Sequence, residues 1–253
     1  MPAKPISQHN TEISLNAASW DKKPLLQKIY TRFYQEIATA LGSTDGKGIL
    51  EIGSGIGAIK TVLPKCITSD IFSNPWLDRR ENAYNINFPD SSLNGVVLFD
   101  VWHHLEYPGS VLQELARIVR PGGRVVLFEP AMGLLGKLVY GIFHHEPLGL
   151  GDTISWNAPS SPPPLRYYAA QGNCWRMFKK KELPLEKLSP FSICQIQSFS
   201  ALSYVASGGF SKPQLYPTQL YTSLARIEKI LDRIPILFAT RIMVVLEKEH
   251  RHS

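Results

Sequence analysis

Gly48-Ile-Leu-Glu51-Ile52-Gly53-Ser54-Gly55-Ile56-Gly57-Ala58 is the stretch whose reading decides the fold of this chain. Residues 48–52 form a short, largely apolar run that suits a buried strand. Gly53 to Gly57 follow as a glycine turn, and Ala58–Leu63 reads as a helix stopped by Pro64. Glycines there permit positive φ and let a ligand approach the backbone closely. The N–H groups opening the next helix can receive an anionic group. Alone, such a triplet also suits a plain tight turn from strand to helix.

Further strand and helix patterns alternate outward from this turn. Leu26, Ile29, Tyr30, Phe33, Ile37 and Leu41 recur at helical spacing before it, with Asp21 expected as the cap and Gly42 as the stop. After it come strand patterns at Cys66–Ser69, ending at Asp70, more weakly near Asn82–Ile86, and at Asn94–Val101. Val111, Leu112, Leu115, Ile118 and Val119 mark an amphipathic helix, ended by Pro121-Gly122-Gly123 and followed by a strand at Arg124–Phe128. Later come a strand at Phe191–Phe199, a helix at Leu220–Leu231 and a final strand at Arg241–Leu246. Strands alternating with helices predict an α/β fold with parallel strands and right-handed crossovers. Ligands in such sheets sit beyond the carboxyl ends of the strands. That rule selects Gly53–Gly57, Asp70–Ile71, Asn82–Asn85, Asp100–His104 and Glu129–Met132.

Two nucleoside ligands fit the turn. Gly53-x-Gly55-x-x-Ala58 fits the dinucleotide fingerprint in its G/A variant. Asp70, 17 residues after Gly53, would place a carboxylate on ribose hydroxyls under either reading. Glu51-x-Gly53-x-Gly55-x-Gly57 instead resembles the first motif of the class I S-adenosylmethionine-dependent methyltransferases, of the type 11-like, small-molecule branch. Two more blocks carry the same resemblance in the same order. They run from Phe88-Pro-Asp to Asp100-Val-Trp-His103-His104-Leu-Glu-Tyr-Pro108, and from Glu114-Leu-Ala to Arg-Pro-Gly-Gly-Arg-Val-Val-Leu-Phe-Glu-Pro130. The resemblance covers residues 48–130, is looser over the last two strands and is absent from about 145 to 185.

The resemblance implies a Rossmann-like seven-stranded sheet of order 3-2-1-4-5-7-6, strand 7 antiparallel, with helices on both faces. It implies one methyltransferase domain over 1–253. Residues 1–45 would form a helical cover, 46–130 the cofactor-binding core, 131–190 an acceptor lid between strands 5 and 6, and 191–253 the rest of the sheet. S-adenosyl-L-methionine would be the cofactor. Gly53, Ser54, Gly55 and Gly57 would line its methionine part and ribose, and Glu51 would bond backbone or water near its amino group. Asp70 and Ile71 would meet the ribose, Asn82 and Asn85 the adenine, and Phe99 and Asp100 the sulfonium. Family members often have Asp where this chain has Asn82, so the adenine contact would be neutral here. Neutral hydrogen bonds are worth about 0.5–1.5 kcal/mol against about 1.5–3 for charged ones.

Methyl transfer from a sulfonium mainly needs alignment, whereas a hydroxyl acceptor also needs a proton removed. His103, beside His104 at the fourth strand end, and His145, within His144-His145-Glu146, are the candidate bases for an O- or C-methylation. No metal is expected: in His144-His145-Glu146, adjacent histidines in an extended segment point apart and no third ligand is evident. His9, His250 and His252 sit in polar stretches. The insert 131–190 holds Leu134, Leu135, Leu138, Val139, Ile142, Phe143, Trp156, Leu165, Tyr167, Tyr168, Trp175 and Phe178. These would either pack as core or wall an apolar pocket for an aromatic, lipid-linked or anionic small molecule. Ser160-Ser161-Pro162-Pro163-Pro164 reads as a stiff extended loop.

Charge sharpens this picture. The chain has 253 residues and a formal charge of +6. Through Pro130 there are 13 basic and 13 acidic residues, and beyond it 14 and 8, so the excess lies in the acceptor half. An anionic acceptor or a peripheral docking surface is therefore expected rather than nucleic acid. An NAD(P)-dependent oxidoreductase would leave the second and third blocks unexplained. An RNA methyltransferase or other nucleic-acid-binding protein would lack an RNA-binding module. Cys66, Cys174 and Cys194 are too few and too widely spaced for a disulfide framework. With no secretory pattern and no spanning segment, a cytoplasmic location, in places peripheral to the inner face of a membrane, is expected.

Overall fold

The structure is a computed structural model describing residues 6–160 and 167–250, with side chains from residue 11 onward. His252, the side chain of His9, and Ser161 to Leu165 of the expected stiff loop and insert fall outside the described residues. Seven strands form one sheet: β1 (Ile49–Ile52), β2 (Ile67–Asp70), β3 (Arg79–Arg80), β4 (Leu93–Phe99), β5 (Val119–Pro130), β6 (Phe191–Phe199) and β7 (Arg241–Lys248). Their order is β3-β2-β1-β4-β5-β7-β6. Pairs among β1 to β5 are parallel, and β7 runs antiparallel between β5 and β6, as expected.

The period-two alternation of β4 sorts its side chains onto two faces. Val96 and Leu98 join Leu50, Ile52, Val125 and Leu127 in one buried cluster. Helix α3 (Pro108–Ile118) covers that cluster with Val111, Leu112, Leu115 and Ile118. Val97 and Phe99 join Ile49, Val126 and Phe128 on the other face, beneath α2 (Pro24–Leu41). There Phe99 stacks on Phe128 at 4.8 Å and on Tyr30 at 5.3 Å between ring centroids. Truncating such core side chains to alanine typically costs about 2–5 kcal/mol.

Several local expectations are corrected. Asp21 does not cap the helix of Leu26–Leu41, because it lies near the end of a preceding helix, α1 (Ile6–Lys22). Lys23 separates the two helices and Pro24 opens α2, where its missing N–H costs nothing. Gly42 does end α2, at φ 65°, its N–H shared by the Ala38 and Thr39 carbonyls. After the glycine turn there is one 3₁₀ turn, Ala58–Thr61, rather than a helix to Leu63. The six residues before Pro64 include β-branched Ile59, Thr61 and Val62, which disfavour a longer helix. The third strand is Arg79–Arg80, paired with the end of β2, and Asn82–Ile86 is not a strand. The Asn82 carbonyl accepts from the Asn85 N–H at 2.9 Å, and its side-chain oxygen from the Tyr84 N–H at 3.0 Å. Asparagine bonding its own backbone two residues on makes a turn.

The segment after β5 divides its aromatics. Cys174, Trp175, Met177 and Phe178 are buried in the α3-side core, around a helical turn at Trp175–Lys179. Trp156 lies over Gly109, whose N–H donates to the Trp156 carbonyl at 2.8 Å; a Cβ on Gly109 would come within 2.4 Å of the indole. These side chains therefore serve the core and do not wall a pocket. Helix α4 (Leu134–Ile142) buries Gly136 and Tyr140 but leaves Leu134, Leu138 and Ile142 exposed, with Phe143 just beyond it 68% exposed. Helices α5 (Leu202–Ala206), α6 (Tyr221–Leu231) and α7 (Pro235–Phe238) join β6 to β7. No helix among the described residues is long and apolar enough to cross a membrane.

Candidate functional site

The glycine turn lies at the carboxyl end of β1. Gly53, Gly55 and Gly57 adopt φ of 72°, 54° and 68°, values that side chains with a Cβ resist. A Cβ on Gly57 would stand 2.9 Å from the Trp76 carbonyl oxygen, so the turn is closed to larger residues by backbone. Ser54 locks the turn to β2: its N–H donates to the Ser69 carbonyl at 2.8 Å, and its hydroxyl accepts from the Ser69 N–H at 3.0 Å. Asp70 ends β2, buried, with Oδ1 accepting from the Ile71 N–H at 2.7 Å. Ile71 is half-buried beside it.

Glu51 is fully buried beneath this turn, and both its carboxylate oxygens lack a well-formed hydrogen bond. Burial pushes its pKa up to about 7, against the pull of the nearby Ser54 and Tyr34 side chains. An uncompensated buried carboxylate is costly, so its position suits a donor or cation arriving from outside the fold.

Asn82 and Asn85 stand together across their turn, joined by an isolated bridge, with Asn85 exposed. The side-chain oxygen of Asn82 is already engaged by Tyr84. Phe99 packs its ring into the aromatic core under α2. Asp100 follows it at φ 56° and pairs with Arg241, which starts β7 and is 2% exposed. The Arg241 guanidinium lies 4.6 Å from the Tyr204 ring centroid.

A second constellation lies beyond the ends of β4 and β5. His103, buried, places Nδ1 2.6 Å from Glu129 Oε2 at the end of β5. Glu129 also accepts from the N–H groups of Val101, Trp102 and His103 at 2.8, 2.7 and 3.3 Å. It thereby fixes both the turn after β4 and the imidazole. His104 Nδ1 lies 2.9 Å from the Tyr168 carbonyl, which can only accept, so His104 donates there and its Nε2 carries the lone pair.

Glu146 enters from the insert, between the two imidazoles. One carboxylate oxygen lies 3.6 Å from His103 Nε2 and the other 3.7 Å from His104 Nε2. The Tyr167 hydroxyl and the Gln171 amide donate to the same carboxylate. Burial opposes a charge on His103, but Glu129 and Glu146 outweigh it and hold its pKa up at about 10. Burial, then the charge of His103, pushes His104 down to about 4. Burial would raise Glu146, yet the histidines and Tyr167 hold it well below the usual carboxylate range.

Of the two candidate bases, only His103 joins this constellation. His145 is exposed and stacks on His144 at 4.9 Å between ring centroids. His104, Glu129, Glu146, Tyr167, Gln171 and Arg241 are the residues that sequence reasoning did not bring together. Glu129 carried a signal, as the residue at a strand end within the third block. The others come from distant segments that only the folded chain makes neighbours.

Residues 50–127 match the family described as "Methyltransferase domain". An O-methyltransferase from Aspergillus nomiae is 23% identical over 171 residues, 55% of this chain and 76% of that protein. Three solved structures share the fold. A [4+2]-cyclase gives a TM-score of 0.54 at 13% identity, with 98% of each chain covered. A chain from the complex between the Haloferax volcanii Trm112 methyltransferase activator and a methyltransferase gives 0.52 at 13%, with 96% of each covered. An S-adenosylmethionine-dependent methyltransferase from Archaeoglobus fulgidus gives 0.50 at 15%, covering 88% of this chain and 94% of that one. Sheet order, glycine turn and sequence match together support a class I S-adenosylmethionine-dependent methyltransferase, with the family match confined to residues 50–127.

Proposed function

We propose that the chain methylates a hydroxyl oxygen of a small, amphiphilic or anionic molecule. The observation that carries this reading is the His103–His104–Glu146 constellation at the carboxyl ends of β4 and β5. It stands beside the glycine turn, since a Cβ on Gly53 would come 2.3 Å from the Val101 side chain.

The residues at the β1 end fit S-adenosylmethionine. The glycine backbone would leave room for its chain, Asp70 would accept from ribose hydroxyls, and the buried Glu51 carboxylate would answer a cationic amino group. Asn82 and Asn85 would meet the adenine through their amide groups. When bound, the cofactor supplies a methyl group on a leaving sulfonium. The protein's own work is alignment, which can supply about 7–11 kcal/mol. Asp100, held by Arg241, fixes the floor between the two ends. His104, the neutral imidazole of the constellation, would then take up through Nε2 the proton that a hydroxyl acceptor must lose, a step for which a placed base supplies about 10²–10⁴-fold. Acceptors that are already carbanions or carboxylates would need no such group, so its presence favours O-methylation. The similarity to an O-methyltransferase supports the same choice.

The acceptor's character is read from the surroundings. Exposed Leu134, Leu138, Ile142 and Phe143 flank Lys137 on the segment leading to Glu146. The basic excess lies wholly beyond Pro130. Both favour an acceptor with apolar and anionic parts, met at the inner face of a membrane in the cytoplasm.

Incubation with radiolabelled methyl donor and cell extract, followed by separation into small-molecule, lipid and RNA fractions, tests the reading. Label is expected in the small-molecule or lipid fraction. Label confined to RNA would overturn it.

A further inference from the structure

The facing nitrogens of His103 and His104 pose a problem that the methyl-transfer reading leaves open. Each imidazole is anchored through Nδ1: His103 to the Glu129 carboxylate at 2.6 Å, and His104 to the Tyr168 carbonyl at 2.9 Å. Anchoring through one ring nitrogen, to a carboxylate or a backbone carbonyl, is how proteins orient a histidine whose other nitrogen binds a metal. Both Nε2 atoms then face Glu146, at 3.6 and 3.7 Å. Those separations are too long for hydrogen bonds. At His104, a lone pair opposite a carboxylate oxygen is repulsive unless something positive lies between them.

We propose that His103 Nε2, His104 Nε2 and the Glu146 carboxylate form a binding site for one divalent first-row transition-metal cation. The three ligand atoms all lie within 4.8 Å of one another. Donors on a tetrahedral cation with bonds of about 2.0–2.1 Å stand about 3.3–3.4 Å apart. The two imidazole–carboxylate separations need a tightening of a few tenths of an ångström to reach this, and the third, within 4.8 Å, needs a shift of the side chains by up to about 1.4 Å. Two imidazoles and one carboxylate suit zinc, iron, cobalt or nickel rather than magnesium or calcium, and leave positions open. The carboxylate is itself held by Tyr167 and Gln171, as metal-bound carboxylates commonly are.

A neighbouring combination, Asp100, His103 and Glu129, does not compete. Its His103–Glu129 contact at 2.6 Å is a hydrogen bond with no space for an ion, and Asp100 is taken by Arg241. His144 stands aside too, because its Nδ1 accepts from the Glu146 N–H at 3.4 Å. The sequence hid the site for a physical reason. His103 and His104 lie on a 3₁₀ turn, Trp102–His104, that brings their ring centroids to 4.1 Å, a juxtaposition that sequence adjacency alone does not give. The third ligand is 42 residues further on. An acceptor oxygen in an open position would give up its proton more readily. That consequence rests on the methyl-transfer reading, whereas cation binding does not.

The test uses the full chain, stripped with a chelator and titrated with Co²⁺ by visible absorption and with Zn²⁺ by calorimetry. One saturable equivalent is expected, with d–d bands of a low-coordinate cobalt site and a raised melting temperature. Glu146→Gln and His104→Ala should each weaken binding about 100-fold or more, and Glu129→Gln, through the anchor, about 10–100-fold. His145→Ala should leave binding unchanged. Absence of a saturable equivalent in the wild-type chain would overturn the proposal whatever the variants do. So would affinity that survives Glu146→Gln and falls with His145→Ala, which would mark surface imidazoles as the binders. Cation binding without methyl transfer would refute only the activity.

Discussion

The two ends of the site are built in different ways. At the β1 end, a continuous run from Glu51 to Gly57, with Asp70 at the next strand end, supplies the surface, and backbone conformation does the shaping. At the β4–β5 end, side chains from residues 103, 104, 129, 146, 167 and 171 converge from four segments. Backbone shape needs particular residues at fixed local spacing, so evolution can change it little. A side-chain cluster needs only that certain atoms meet, and its members can come from anywhere. One fold can therefore host different chemistries, as the [4+2]-cyclase of the same fold illustrates.

This contrast can be broken at either end. The largest effect is expected at the acceptor end. His104→Ala should lower kcat by about 10²–10⁴-fold, measured by methyl transfer, while cofactor affinity stays at the wild-type value. A parallel loss of cofactor affinity would show that the two ends are not separable. At the other end, Asp70→Ala should weaken the cofactor by about 10–100-fold, the loss of a charged hydrogen bond of about 1.5–3 kcal/mol, with little change in kcat at saturation.

Smaller effects probe how each end is held. Arg241→Met removes the buried partner of Asp100 and its stacking on Tyr204. A destabilisation of about 1–3 kcal/mol is expected, read as a fall in melting temperature. An unchanged melting temperature would mean the pair holds nothing. The smallest effect concerns pH. Glu51 is held up to about 7 by burial, so below that pH the free protein carries it protonated. A cationic amino group would favour the carboxylate, so binding should release a proton, and affinity should rise with pH and level off above about 7. The same shift makes the fold bind more protons than the unfolded chain between the two pKa values. Stability should therefore fall as pH rises from about 4.5 to about 7. Calorimetry in buffers of differing ionisation enthalpy measures the proton release. None would mean that Glu51 does not meet the amino group.

What the sequence disclosed follows the same division. The glycine turn, the strand ending at Asp70 and the strand at Phe191–Phe199 were legible because each rests on local pattern, whereas the sheet order followed from the family resemblance. The third strand was misplaced because two arginines beside Asp70 pair through backbone alone, with no apolar alternation to announce them. Trp175 and Phe178 were open between core and pocket, since burial looks the same in sequence for both. His103 was legible from its strand end, whereas His104 and Glu146 gain meaning only from contacts 42 or more residues apart. Glu129 lay in plain view, but its role depends on the turn after β4 folding back across it.

The most direct measurement is a calorimetric titration of S-adenosylmethionine into the full chain and its Asp70→Ala and His104→Ala forms. Saturable binding to the wild-type chain is predicted, weakened about 10–100-fold by Asp70→Ala and unchanged by His104→Ala. No binding to the folded wild-type chain at millimolar ligand, or equal affinity in the Asp70→Ala form, would contradict the account.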